Sequence, residues 1–140
     1  MSRYISKENR QKVKTRAKDC CEYCYSQEDF SPSSFSIEHI LPVAKGGQNT
    51  LGNLAYACQG CNNTKYTNTE NIDAVTGETI SFFHPRKDNW KEHFKWSDNK
   101  LLIIPLTPKG RVTLNALNLN RKSVVNLRKV LILIDKHPPE

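Results

Sequence analysis

Two Cys-x-x-Cys pairs separated by residues 25–57, short alternating apolar runs at 35–41 and 54–58, and a hydrophobic content of only 37% predict an α+β fold. Its strands and helices are short, and a bound metal is expected to supply stability that a small apolar core does not. The chain has 140 residues, the size of one domain. Residues 1–68 are expected to hold a basic helix and the metal-pinned core, with 69–140 an extension packed on it.

Ser6 as N-cap and Glu8 in the first turn predict a helix reaching Lys18, with Ile5, Val13 and Ala17 as its apolar positions. Residues 26–34 have loop composition. The run from Phe35 to Leu41 alternates as a strand and is stopped by Pro42. Residues 44–53 hold three glycines and two asparagines, a connecting loop; 54–58 is a second strand, and the polar run after Cys61 opens a helix with Cys61 and Asn62 in its first turn. Residues 69–90 are expected to be irregular, and Trp90 to Trp96 to form a short packed helix. The runs 101–106 and 111–117 flank Thr107-Pro108-Lys109-Gly110 as a β-hairpin, its first strand demoted to an edge by Pro105. A last helix from about Asn120 places Val124, Leu127, Val130, Leu131 and Ile134 on one face.

The N-terminal residues lack an apolar signal core, and no stretch approaches the length of a membrane span, so a cytoplasmic protein is expected. Five cysteines in a reducing compartment are read as metal ligands before disulfides. Cys21, Cys24, Cys58 and Cys61 make a closed tetrahedral zinc site that holds structure and has no open position for water. Cys20 is the spare, because its gap to Cys24 mirrors Cys58-Gln59-Gly60-Cys61 less well than Cys21-Glu22-Tyr23-Cys24 does.

The formal net charge of +7 favours a polyanionic partner. It is concentrated at the ends: 1–20 carries seven Lys/Arg against two acids and 111–140 six against two, while 21–110 carries eight against ten. Between the cysteine pairs lie a candidate general base, His39, a hard oxygen donor, Glu38, and the polar Asn53, and the second pair runs directly into another hard oxygen donor, Asn62.

Arg16-Ala17, Cys21-Glu22-Tyr23-Cys24, Ile37-Glu38-His39-Ile40-x-Pro42, Gly46-Gly47, Asn53-Leu54 and Cys58-x-x-Cys61-Asn62-x-x-Lys65 together resemble an HNH endonuclease of the four-cysteine, zinc-containing kind, over residues 10–66. The resemblance implies a ββα-metal, treble-clef-like core, which is the strand, loop, strand, helix order above. It implies that His39 is the general base, that Asn53 holds the loop and helps orient His39, and that Glu38 and Asn62 hold a catalytic Mg²⁺ or Mn²⁺, with Glu38 standing where the family more often has Asp. The activity implied is hydrolysis of DNA phosphodiester bonds, with products ending in 5′-phosphate and 3′-hydroxyl. Lys65, Arg16, Arg86 and Arg111 are candidate phosphate contacts. Phe83-His84-Pro85-Arg86, Trp90-x-x-His93-Phe94-x-Trp96 and Leu106-Thr107-Pro108-x-Gly110-Arg111 are similar to the C-terminal part of small bacterial, notably cyanobacterial, HNH proteins. DNA is the expected partner, and the protein would bind it as a monomer or homodimer, nucleoid-associated when bound. A zinc-ribbon module that binds nucleic acid without cutting is the alternative; the His39, Asn53 and Asn62 set argues against it.

Overall fold

The computed structural model describes residues 4–139; Met1–Arg3, which open the basic N-terminal segment, and Glu140 lie outside the described residues. The fold is mixed α and β, built from helices and three separate two-stranded antiparallel hairpins. Helix α1 (Lys7–Arg16) starts where Ser6 Oγ accepts from Asn9 N at 3.1 Å, as the sequence predicts. It packs on strand β2, and Val13 within it and Ala17 at its C-cap are buried.

Strand β1 (Ser36–His39) pairs with β2 (Leu54–Ala57) so that Glu38 lies opposite Ala55 and His39 opposite Leu54. Every residue of β2 is buried. The loop between the two strands contains short 3₁₀ turns at Val43–Lys45 and Leu51–Asn53. Helix α2 (Gln59–Lys65) follows at once, with Cys58 as its N-cap.

The second half corrects the sequence reading in four places. Residues 69–90 are not wholly irregular: β3 (Glu70–Ile72) and β4 (Thr79–Ser81) form a hairpin closed around Asp73 and Gly77. Its strands are three residues long and mostly exposed, so they carry no apolar alternation. The helix expected over 90–96 is one turn, α3 (Trp90–His93), continuing into β5 (Phe94–Trp96). Strand β5 pairs with β6 (Ile103–Pro105), which replaces the expected pairing of 101–106 with 111–117. The latter run lies in helix α4 (Pro108–Leu117), because Thr107 Oγ1 accepts from Gly110 N at 3.0 Å and Pro108 sits at the first helical position; an N-cap and proline start outweigh the β-branched Val112 and Thr113.

Helix α5 (Lys122–Leu133) forms as predicted, but its buried stripe is Val124, Arg128 and Leu131, while Val130 and Ile134 are exposed. A charged residue takes the centre of that stripe. The Arg128 guanidinium, 2% exposed, donates to the carbonyls of Leu101, Leu119 and Cys24 and to Asn120 Oδ1 at 2.8–3.3 Å, and lies 5.0 Å from the Trp96 ring centre. Those bonds repay desolvation of the charge and tie α5 to the first cysteine pair. The apolar cluster runs from Ile5 to Val124 and includes all four paired cysteines. No helix among the described residues is long and apolar enough to cross a membrane.

Candidate functional site

The sulfur atoms of Cys21, Cys24, Cys58 and Cys61, all buried, lie within 4.8 Å of one another. Zinc–thiolate bonds of about 2.3 Å in a tetrahedron put sulfurs about 3.8 Å apart, and Cys24 and Cys58 are 3.6 Å apart. The donor set therefore suits zinc. Each pair forms the same small turn, with the backbone N–H of Cys24 aimed at Cys21 Sγ (3.5 Å) and that of Cys61 at Cys58 Sγ (3.4 Å). Arg121 spans the second pair, donating to Cys61 Sγ at 3.6 Å and Cys58 Sγ at 3.4 Å. Burial alone would lower its pKa, but the facing thiolates of Cys61, Cys24 and Cys58 raise it, so the guanidinium stays charged against them. Gly60 makes room for it: a Cβ there would lie 2.5 Å from Arg121 Nη2. Cys20, though buried, is outside the cluster, as expected.

The two residues inside the first pair reach outward. The backbone N–H of Glu22 donates to Tyr56 O at 2.9 Å, and Glu22 Oε2 accepts from Tyr56 N at 2.8 Å; together they cover the edge of β2 that faces away from β1. Tyr23 points the other way, and its buried hydroxyl donates to Glu38 Oε1 at 2.6 Å.

Strand alternation separates Glu38 from His39. Glu38 turns inward, 5% exposed, and its other oxygen, Oε2, is 2.6 Å from the Lys65 ammonium, which also donates to Ile40 O at 3.0 Å. Burial pushes the Glu38 carboxyl above its ordinary pKa, against the opposing pull of Lys65, Tyr23 and His39. Glu38 is thus held in an ion pair with Lys65, and it lines the same cleft as His39 and Asn62. Lys65, 2% exposed, is the structural half of that pair rather than a free phosphate contact.

His39 is half-buried and lines a cleft of about 330 Å³ together with Asn62, Pro42, Val43 and Tyr66. Its Nε2 lies 2.6 Å from Oδ1 of Asn49, a residue the sequence reading passed over. The Asn49 amide nitrogen donates to Tyr4 O at 2.8 Å, which turns the amide oxygen toward the imidazole. The tautomer that suits this contact carries its N–H on Nε2 and its lone pair on Nδ1. Asn53 braces the loop: Oδ1 accepts from Leu41 N at 2.8 Å, and Nδ2 donates to Leu41 O at 3.0 Å and Gln48 O at 2.9 Å. Asn62 makes no side-chain hydrogen bond among the described residues and faces the same cleft.

The arginines expected on DNA are already engaged. Arg111 grips buried Asp73 with two bonds, Nε to Oδ1 at 3.0 Å and Nη2 to Oδ2 at 2.9 Å, which hold that carboxyl well below its usual range. Arg86 is paired with Glu22, and Arg16 donates to Leu54 O. Arg111 is therefore reassigned to fixing the turn between β3 and β4; Arg16 and Arg86 keep unpaired Nε atoms.

Residues 21–68 match the family model of HNH endonucleases, a span that contains all four clustered cysteines, Glu38, His39, Asn53 and Asn62. No curated protein matches the chain.

Proposed function

We propose that the chain is a metal-dependent endonuclease that hydrolyses DNA phosphodiester bonds, with a ββα-metal core built from β1, β2 and α2 and held by a structural zinc on the four cysteines. The observation that carries the reading is the 2.6 Å contact of His39 Nε2 with Asn49 Oδ1, at the wall of a cleft shared with Asn62. A histidine whose Nε2–H is spent on Asn49 presents Nδ1 as a base, and at that atom His39 takes the proton of the attacking water. Asn53, by clamping Leu41 to Gln48, keeps the loop that carries Asn49 in place.

The cleft's donors are of the right kind for a hard divalent cation: the free amide oxygen of Asn62, and the Glu38 carboxylate if it exchanges its Lys65 ammonium for the metal. Mg²⁺ or Mn²⁺ held there would supply charge stabilisation to the phosphate and the departing 3′ oxygen. The four-thiolate centre is closed and takes no part beyond positioning β1, β2 and α2.

Supercoiled plasmid with Mg²⁺ or Mn²⁺, incubated with the parent protein and with His39→Ala, tests this. Nicked or linear product from the parent alone is expected. Equal cutting by the variant, or no cutting by either with binding retained, would leave the chain as a non-catalytic nucleic-acid-binding module.

A further inference from the structure

The wall of the His39 cleft carries an aromatic ring that the fold does not use. Tyr66, 75% exposed, lines the cleft with His39, Asn62 and Thr67. Among the described residues its hydroxyl makes no hydrogen bond and its ring meets no other ring.

Its backbone is held where a tyrosine is costly. The last turn of α2 closes with Tyr66 N donating to Asn62 O at 3.0 Å, and the chain reverses at once, Asn68 N donating to Lys65 O at 3.0 Å. Tyr66 is the second residue of that turn, at φ 50° and ψ −123°. These are type II′ angles, which favour glycine because a Cβ crowds the backbone at positive φ. The Val43–Lys45 turn of the same cleft ends on such a glycine, Gly46, at φ 92°. At the end of α2 a tyrosine stands there instead, fixed by its neighbour Lys65, which is anchored on Glu38 and on Ile40 O. A bulky side chain at strained φ with neither burial nor a hydrogen bond to offset the cost gains the fold nothing, and strain of this kind collects at ligand sites.

The rest of the cleft says what the ring meets. No lysine or arginine is among the described residues that line it, so no ion pair holds a substrate phosphate inside it. A solvent-facing phenol ring offers a different hold: it stacks on a nucleobase, whichever base it is, because every base has a π-face.

We infer that Tyr66 is a stacking platform for the base of a nucleotide flanking the bond attacked at His39, its ring kept at the cleft by the strained turn. That the ligand is a nucleic acid rests on the nuclease reading; the exposure and strain of Tyr66 do not. The substrate class narrows accordingly. Bases inside a duplex are already stacked on each other and out of reach, so the ring serves a single strand or a locally opened duplex.

The experiment titrates zinc-loaded parent, Tyr66→Gly and Tyr66→Phe with a single-stranded oligonucleotide and with a blunt duplex of the same sequence, no divalent cation being added. Tyr66→Gly is expected to weaken single-strand binding about five- to hundredfold, the worth of one stacked base, with an unchanged salt slope and parental duplex binding. Tyr66→Phe keeps the ring and should bind both as the parent does. The melting temperature of Tyr66→Gly should equal or exceed the parent's, since glycine takes this turn without a Cβ clash. Single-strand binding by Tyr66→Gly at the parental level, or a loss in Tyr66→Phe as large as in Tyr66→Gly, overturns the platform. Equal losses on single strand and duplex overturn the unstacked base, and a Tyr66→Gly protein that melts well below the parent shows a ring that serves the fold after all. Plasmid cleavage by the parent, with single-strand binding unchanged in Tyr66→Gly, would sink the platform and leave the nuclease reading standing; a selective single-strand loss in a protein that never cuts would do the reverse.

Discussion

Lys65→Met is expected to cost about 3–5 kcal/mol, because it leaves the Glu38 carboxylate buried and without its counter-ion. The size follows from the geometry. At 2.6 Å the gross attraction is about 6 kcal/mol for an effective dielectric constant near 20, and the lost bond to Ile40 O adds to it. Against this stands the desolvation of two ions that are 2% and 5% exposed, several kcal/mol each, so the intact pair is close to neutral while the broken pair is not. Near 3 °C per kcal/mol for a chain of this size, the melting temperature of the zinc-loaded variant should fall by about 10–15 °C. Glu38→Gln with Lys65→Met together should recover most of that loss, since neither charge remains buried. Calorimetry on the parent, both single variants and the double variant measures the coupling. A Lys65→Met protein within about 1 kcal/mol of the parent, or a double variant no better than the sum of the singles, would refute the buried pair as described. The same variant asks whether Glu38 is a cation ligand: with the ammonium gone, Mn²⁺ at about 100 times its dissociation constant should return about 2.7 kcal/mol. If added Mn²⁺ leaves the melting temperature of Lys65→Met unchanged, Glu38 is structural only.

Three further perturbations follow from single contacts. Asn49→Ala frees His39 Nε2 and should lower plasmid cleavage by about tenfold or more, part of the roughly 10²–10⁴ that a general base contributes, with zinc content unchanged; parental cleavage rates would remove Asn49 from the mechanism. Gly47→Ala places a Cβ 1.7 Å from Leu41 O, a backbone atom, so the loop must open at a cost of about 3 kcal/mol, whereas Gly52→Ala meets nothing within 4 Å and should stay within about 0.5 kcal/mol; urea midpoints of the two variants should differ accordingly. Arg121→Gln removes the charge facing Cys58 and Cys61 and should speed zinc transfer to a chromophoric chelator several-fold, with no change if the guanidinium is a bystander.

Local signals in the sequence carry the first half of the fold. Ser6 caps α1, alternation marks β1 and β2, and Cys-x-x-Cys spacing picks four of five cysteines. Where the reading fails, a longer-range partner decides. The run 111–117 has strand-like alternation, but Thr107 and Pro108 start a helix whose face is completed by contact with α2 and the β3/β4 hairpin. Arg128 is invisible as a core residue, because the carbonyls that make it one come from Cys24, Leu101 and Leu119. In the site, His39 and Asn62 are legible as residue types, but the partners that set their chemistry are not. Glu38 reads as an open carboxylate until Tyr23, 15 residues earlier in the chain, closes on it, and Lys65 sits on its other oxygen. Asn49 is one polar residue among several in a glycine-rich loop, and only its bonds to Tyr4 O and His39 Nε2 place it at the histidine.

The thiolate cluster and the cleft are not independent, because each cysteine pair carries part of the site in its own local structure. Within the first pair, Glu22 covers the edge of β2 and Tyr23 secures Glu38. The second pair is the first turn of α2, so Cys61 is followed directly by Asn62, and Lys65 lies one helical turn further on. Asn62 therefore reaches the cleft only while Cys58 and Cys61 stay in register with Cys21 and Cys24, and the buried Glu38–Lys65 pair joins residues that the two halves of the cluster position separately. Loss of zinc should consequently remove cleavage through displacement of Asn62 and exposure of the pair, even though the closed centre offers no position for water or substrate. Far-ultraviolet circular dichroism and plasmid cleavage, followed together during zinc extraction, should decline in step. Cleavage retained by a zinc-free, partly unfolded protein would show that the cleft stands without the cluster.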